Sequence, residues 1–444
     1  MPARPAFRDI GVVRLGYAGG VAARILLGYK ALDARKRGMS EDSYARRVRR
    51  HHEKSARQIY RGVLRLQGLM IKIGQTLGSR PDLLPQEYVQ TLSKLQDRVP
   101  PHPFRRMRPH IENQLGLPIE EAFAEFDPRP VAAASLAQVY RARLHDGRKV
   151  AVKVVYPNIE RLVRTDLWIL KAILWLEARF YSFPLEPVYR ELALNIPLEV
   201  DMHHEAQNME AIAAQLRHRP DVIIPTVVHE WTRHRLLTME YIDGIKITDF
   251  DRIREAGLDI HALLRTVGEV YMESMLRFGY FHRPAPRQPL RPARQQARPP
   301  RLRPRFTPEF REAFVGLARG IFGDDPQEIV DGLKASGFVY KKEQHSEAAL
   351  AMREAFRAFS SPETYRDRRL IDAVNDRLTA IEKKNPMVDM PGEIALAMRV
   401  MGLFLALAFA TGSNVDFGEL VLKYARDPAE PANVIPFGQT AAGA

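Results

Sequence analysis

Val150-Ala151-Val152-Lys153-Val154-Val155 is the stretch that decides the fold. Four valines around one lysine read as a largely buried strand, because β-branched side chains fit a pleated surface. Just before it, Asp146-Gly147 supplies turn chemistry, and Ala137–Arg143 reads as a second strand on the other side. Further strands are expected at Val222–Val228 and Arg235–Ile242. Helices are expected over 56–78, from Pro103 to Leu115, over Asn158–Tyr181 and over 189–216, with residues 1–55 basic and helix-permissive. From Thr248 onward everything except 283–305 reads as helix. A β-rich segment followed by an α-rich one, behind a helical extension, gives an α+β fold.

The chain has 444 residues and 45% hydrophobic composition, enough for a large core. It has no cysteine, which excludes disulfides, thiolate metal sites and cysteine nucleophiles. The net charge is +14, but residues 283–305 hold eight arginines and no acid, so +8 of the +14 is local. The remaining excess is mild and argues poorly for nucleic-acid binding. The apolar stretch Ile10–Leu27 is interrupted by Arg14 and Arg24, and Val400–Ala410 is too short to span a bilayer. The expectation is a cytoplasmic chain without signal peptide or transmembrane helix, with peripheral membrane contact left open.

Several residues stand out for their chemistry. V-A-x-K is the shape of a kinase third strand, whose lysine meets nucleotide phosphates and is held by a helix glutamate. Alone it is weak, since a strand lysine is ordinarily an exposed edge residue. Upstream, Ala132 to Tyr140 is alanine-rich where an ordinary kinase has a glycine-rich loop. Downstream, Glu199, Asp201 and Glu205 lie in the expected helix, with Asp201 and Glu205 four apart on one face. A solvated acidic face is the plain alternative. Far upstream, Lys72-Ile73-Gly74-Gln75 sets Lys72 and Gln75 on one side of a helix, with Gly74 allowing close approach. A polar stripe on an amphipathic helix would look the same.

Taken in order, K-x-G-Q, the alanine-rich loop, V-A-V-K and E-x-D-x-x-x-E resemble the UbiB/AarF family of atypical kinases, over about residues 50–425. The resemblance implies a kinase-like two-lobed fold. Residues 1–115 would be the helical extension carrying K-x-G-Q, 116–245 the N-lobe, and 246–444 a mostly helical C-lobe. It implies that Lys153 contacts nucleotide phosphates with Glu205 as its ion-pair partner. Ala133, Ala134 and Ser135 would line the loop over the phosphates, and Glu240-Tyr241-Ile242 would be the hinge that receives adenine. Lys72, Gln75, Glu199 and Asp201 would belong to the family's own insertions over the cleft. ATP or ADP is the implied ligand, with Mg²⁺, and the implied setting is isoprenoid-quinone biosynthesis or lipid homeostasis, with a lipid or a quinone-biosynthesis complex as partner.

The resemblance breaks after Gly279-Tyr280-Phe281-His282. There the family continues A-D-P-H-P-G-N and later D-F-G, the segment with the catalytic aspartate and the metal-holding asparagine and aspartate. This chain has Arg283-Pro284-Ala285-Pro286-Arg287-Gln288-Pro289 instead, and stays Arg/Pro-rich to Arg305. The stretch contains no Asp, Glu or Asn for a hard cation, and seven prolines in 23 residues exclude a central strand. No catalytic residue is intact and no metal ligand can be assigned.

The genetic code offers an origin. With arginines as CGN, each codon is read from its second base into the next codon. Arg283 to Pro289 then permits D-P-H-P-G-N, with Gln288-Pro289 restricted to Asn or Ser. Arg301 to Pro304 permits D-F-G. Two compensating frameshifts, near codons 282–283 and 305–306, would produce this chain from a complete family member. The alternatives are a nucleotide- or lipid-binding scaffold without catalysis, and a binder of anionic membrane or nucleic acid through a genuine basic loop. Nucleic acid is not expected, because the loop lacks aromatics for base stacking.

Overall fold

The computed structural model describes residues 11–78, 84–95, 101–177, 199–279, 306–342 and 407–426, with individual residues between them. These form two compact units, one of residues 11–211 with 224–242, the other of 212–223 with 243–279 and 306–426. The Arg/Pro-rich stretch 283–305 lies outside the described residues.

The first unit opens with four helices, α1 (Gly11–Arg35), α2 (Glu41–Leu66), α3 (Leu69–Gly78) and α4 (Gln86–Leu92). The single helix expected over 56–78 is two. Gln67 and Gly68 take φ of 55° and 60°, a left-handed pair that ends α2 before α3 begins. α1 is long and apolar enough, by length and composition alone, to cross a membrane, which its arginines had argued against. Arg14 is nonetheless buried. Its guanidinium donates to both carboxylate oxygens of Asp166, at 2.6 and 2.5 Å, and to the Leu66 carbonyl at 2.7 Å.

Next come α5 (Phe104–Leu115), α6 (Ile119–Ala122) and an antiparallel sheet of β1 (Glu125–Phe126), β2 (Ala132–Ala133), β3 (Ala137–Arg143), β4 (Lys149–Val155) and β5 (Leu236–Glu240). β3 and β4 have the boundaries expected from sequence, and Gly147 turns between them at φ 88°. Val222–Val228 is not a strand. Pro225 has no N–H to give a ladder, and Val227 alone bridges to Met239.

Both sheet faces are covered. Val150, Val152, Val154 and Tyr140 bury against Met107, Ile111 and Leu115 of α5. On the other face Ala137, Val155 and Leu237 bury against α3, against α7 (Ile159–Glu177) and against α8 (Met202–Gln215). Period-two alternation therefore puts Lys153 on the α8 side.

The second unit comprises α9 (Phe250–Glu255), α10 (Ile260–Met272), α11 (Pro308–Gly323), α12 (Pro326–Ala335) and α13 (Phe417–Arg426) around one apolar core. Thr307-Pro308 and Asp325-Pro326 start α11 and α12, each with a capping side chain and proline in the first turn. The expectation of helix throughout is corrected by a small two-stranded antiparallel sheet. Gly337, at φ 85°, follows α12, and β6 (Val339–Tyr340) then pairs with β7 (Met387–Asp389). Phe404 and Ala408 are buried, as a core helix there requires. The Phe306 N–H donates to the Gly279 carbonyl at 3.2 Å, so the two flanks of 280–305 meet.

Candidate nucleotide site

Lys153 and Glu205 meet. The Lys153 ammonium lies 2.6 and 2.8 Å from the two oxygens of Glu205, and the side chains are 25% and 20% exposed. The strand period aims Lys153 at α8, and Glu205 stands in the first turn of that helix. A charge-assisted bidentate contact of this kind fixes the amine while leaving hydrogen-bonding capacity free.

The start of α8 is fastened to the turn before β5. The Met202 N–H donates to the His234 carbonyl at 3.0 Å. Arg235 donates to the Val200 carbonyl and pairs with Glu160. Asp201 precedes the helix rather than lying in it. Its carboxylate accepts from the His203 and His204 N–H groups at 3.1 and 3.5 Å and pairs with His234 at 3.3 Å. The expected helix 189–216 thus breaks at Val200–Asp201, because an aspartate there satisfies N–H groups left free at a helix start. Asp201 and Glu205 do not form one acidic face. Burial pushes the His204 imidazole below its ordinary value, against the pull of Asp201 and Glu205.

On α3, Lys72 pairs with Glu199 at 2.9 Å. Gln75 instead donates to the Leu95 carbonyl at 2.9 Å, so the two polar residues of K-x-G-Q engage different partners. A Cβ on Gly74 would stand 2.5 Å from Leu95 Cδ1, and one on Gly78 2.7 Å from the backbone at Leu92 and Ser93. These glycines let α3 lie against the 92–95 segment. Ala133 ends β2, Ala134 is exposed, and Ser135 is buried in the tight connection to β3. The Ala134 N–H donates to the Ala137 carbonyl, and its own carbonyl accepts from the Tyr156 hydroxyl at 3.0 Å. Glu240 ends β5, Tyr241 donates to the Lys149 carbonyl, and Ile242 is exposed. Among the described residues no group of three or more His, Asp or Glu could hold a metal ion.

Residues 94–284 match the ABC1 atypical kinase-like domain. The chain thus carries an atypical kinase-like domain of the UbiB/AarF type over that span. Among its UbiB/AarF relatives, it is 33% identical to AarF domain-containing protein kinase 1 of Mus musculus over 276 residues, 62% of this chain and 52% of that protein. To the probable protein kinase UbiB of Marinobacter nauticus it is 37% identical over 219 residues, 48% of this chain and 40% of that one. The chain spans about half the length of the curated relatives it matches. A structure of Rv3197 with erythromycin from Mycobacterium tuberculosis superposes with a TM-score of 0.54 at 20% identity, covering 88% of this chain and 100% of that one, a likeness of fold. The ABC1 match stops at 284, two residues into the Arg/Pro-rich stretch.

Residues that sequence reading missed are the supports of the pair. Arg235, Glu160 and His234 hold the start of α8, and Arg14 is matched by Asp166 from 152 residues away. An aspartate ahead of Met202 was a readable helix-start signal. Nothing local marks the distant partners.

Proposed function

We propose that the chain binds ATP or ADP through Lys153, as a UbiB/AarF-type protein that has lost Mg²⁺-dependent phosphoryl transfer. The Lys153–Glu205 pair is the observation that carries the first half, because it presents a fixed cation beside the short Ala133–Ser135 connection. Ala133, Ala134, Glu240 and Ile242 are the further contacts proposed for phosphates and adenine. The second half rests on the residues available for a metal. Residues 283–305 contain no Asp, Glu or Asn, and arginines there repel a divalent cation. Neither that stretch nor the described residues offer a site that fits Mg²⁺, and phosphoryl transfer without it loses its main charge stabilisation. Service in isoprenoid-quinone or lipid metabolism is proposed from the resemblance to the UbiB/AarF family alone.

The test is titration of ATP and ADP calorimetrically, with an ATPase assay in Mg²⁺ on the same preparation. Binding that falls at least tenfold in Lys153→Met, with no Mg²⁺-dependent turnover, is expected. Unchanged binding in that variant overturns the nucleotide site, and measurable turnover overturns the loss of chemistry. Re-sequencing codons 275–312 from independent source DNA tests the origin. A restored D-P-H-P-G-N and D-F-G makes the natural protein a complete family member, and a confirmed Arg/Pro stretch removes the frameshift account of a misread gene.

A further inference from the structure

We propose that the outward face of α7 docks an acidic helix of a partner protein, independently of the Lys153 reading. At 3.6 residues per turn, Arg161, Arg164, Trp168, Lys171 and Trp175 fall within about 80° of arc, three and four residues apart. All five are exposed, the tryptophans at 59% and 64%. The apolar side of α7 is turned into the core, where Ile159, Val163 and Ile169 are buried. Single exposed aromatics are ordinary, but two tryptophans aligned with three cations make a patch. Trp and Arg are also the side chains most enriched where protein interfaces gain their binding energy.

Charge selects the partner. Glu160 and Asp166 of the same helix are already engaged, by Arg235 and Arg14. Arg161, Arg164 and Lys171 form no ion pair with any described residue. The face therefore holds three uncompensated positive charges within about 15 Å and calls for negative ones opposite. A second copy of this chain would set cations against cations, so the face does not pair with itself.

Spacing selects its form. Rows on the face repeat about every 5 Å, which a facing helix matches row for row. A strand offers one face a side chain about every 6.6 Å and falls out of step. A helix lying in a bilayer surface presents a broad apolar face, which α7 has turned inward. The occupant is a helix with Asp or Glu opposite the cations and small or apolar residues opposite the tryptophans.

The experiment uses the full chain at about 0.15 M salt and a fluorescein-labelled helical peptide of about three heptads, followed by anisotropy. The peptide carries glutamate and alanine along one face, and a lysine-for-glutamate counterpart is its control. Saturable binding of the acidic peptide is expected, weakened at least tenfold in Trp168→Ala with Trp175→Ala. Arg164→Glu with Lys171→Glu should reverse the preference and take the lysine peptide, which also shows that this variant is folded. No binding of the acidic peptide to the unaltered chain overturns the inference. So does equal binding by the tryptophan variant, or a folded charge-reversed variant that does not take the lysine peptide. Should the charge-reversed chain fail to fold by circular dichroism, the tryptophan variant decides. Phosphatidylglycerol vesicles are titrated alongside. Vesicle binding that needs the two tryptophans, with the peptide left unbound, assigns the face to a membrane and overturns the inference. No nucleotide enters any readout, so the outcome is separate from that of the Lys153 site.

Discussion

Asp166→Asn should cost about 3–5 kcal/mol of stability, the range for breaking a buried ion pair from one side. The change is isosteric and leaves α7 its length. It replaces the carboxylate that receives two donors from Arg14 at 2.6 and 2.5 Å with a neutral amide, half of it a donor. Arg14 is buried, with the Leu66 and Gln67 carbonyls among its other acceptors. Those carbonyls carry only partial charge and do not replace a carboxylate that accepts two donors. Replacing both partners, as Arg14→Met with Asp166→Leu, removes the charge together with its desolvation cost and should recover most of the loss. Urea denaturation followed by circular dichroism reads the three chains, with ΔΔG taken from the midpoint at constant slope. A loss under about 1 kcal/mol for Asp166→Asn, or a double variant no better than the single, would refute the assignment of that pair as a buried charge anchor.

Gly332→Ala should cost about 1–3 kcal/mol by overpacking, since its Cβ would stand 2.8 Å from Leu317 backbone atoms, while Gly323→Ala, in open space, should be neutral or slightly stabilising; thermal melts compare them. Burial pushes the His110 imidazole below its ordinary 6.5, so the unfolded chain takes up a proton first as pH falls. Stability should therefore decline below about pH 6.5, and His110→Leu should flatten part of that decline between pH 7.5 and 5.5. Replacing residues 280–305 with Gly-Gly should leave the second unit folded. The existing Phe306-to-Gly279 hydrogen bond becomes the closing bond of a four-residue turn, and loss of a cooperative melt would count against this.

What could be read in the sequence depended on range. β3 and β4 were legible to the residue, because alternation and the Asp-Gly turn are local signals. The Lys153–Glu205 pair was reachable only through resemblance, as 52 residues separate the two and each alone looks ordinary. Asp201 was misplaced because helical spacing extends smoothly through a residue whose side chain in fact ends the pattern. Gln67-Gly68 escaped for a similar reason, as the apolar period on either side of that break stays nearly in phase. The small sheet in the second unit pairs residues about fifty apart, beyond any local pattern.

α3 touches two things at once. Met70, Ile73 and Leu77 line an apolar cavity shared with α1, α2, α4 and α7, and Lys72 reaches Glu199, two residues ahead of the aspartate that starts α8. Gly74 and Gly78 let the helix lie so close to the 92–95 segment that a Cβ at either position would collide with it. One seating of α3 thus sets both the apolar wall that Met70, Ile73 and Leu77 offer and the place where Lys72 meets Glu199, just ahead of α8.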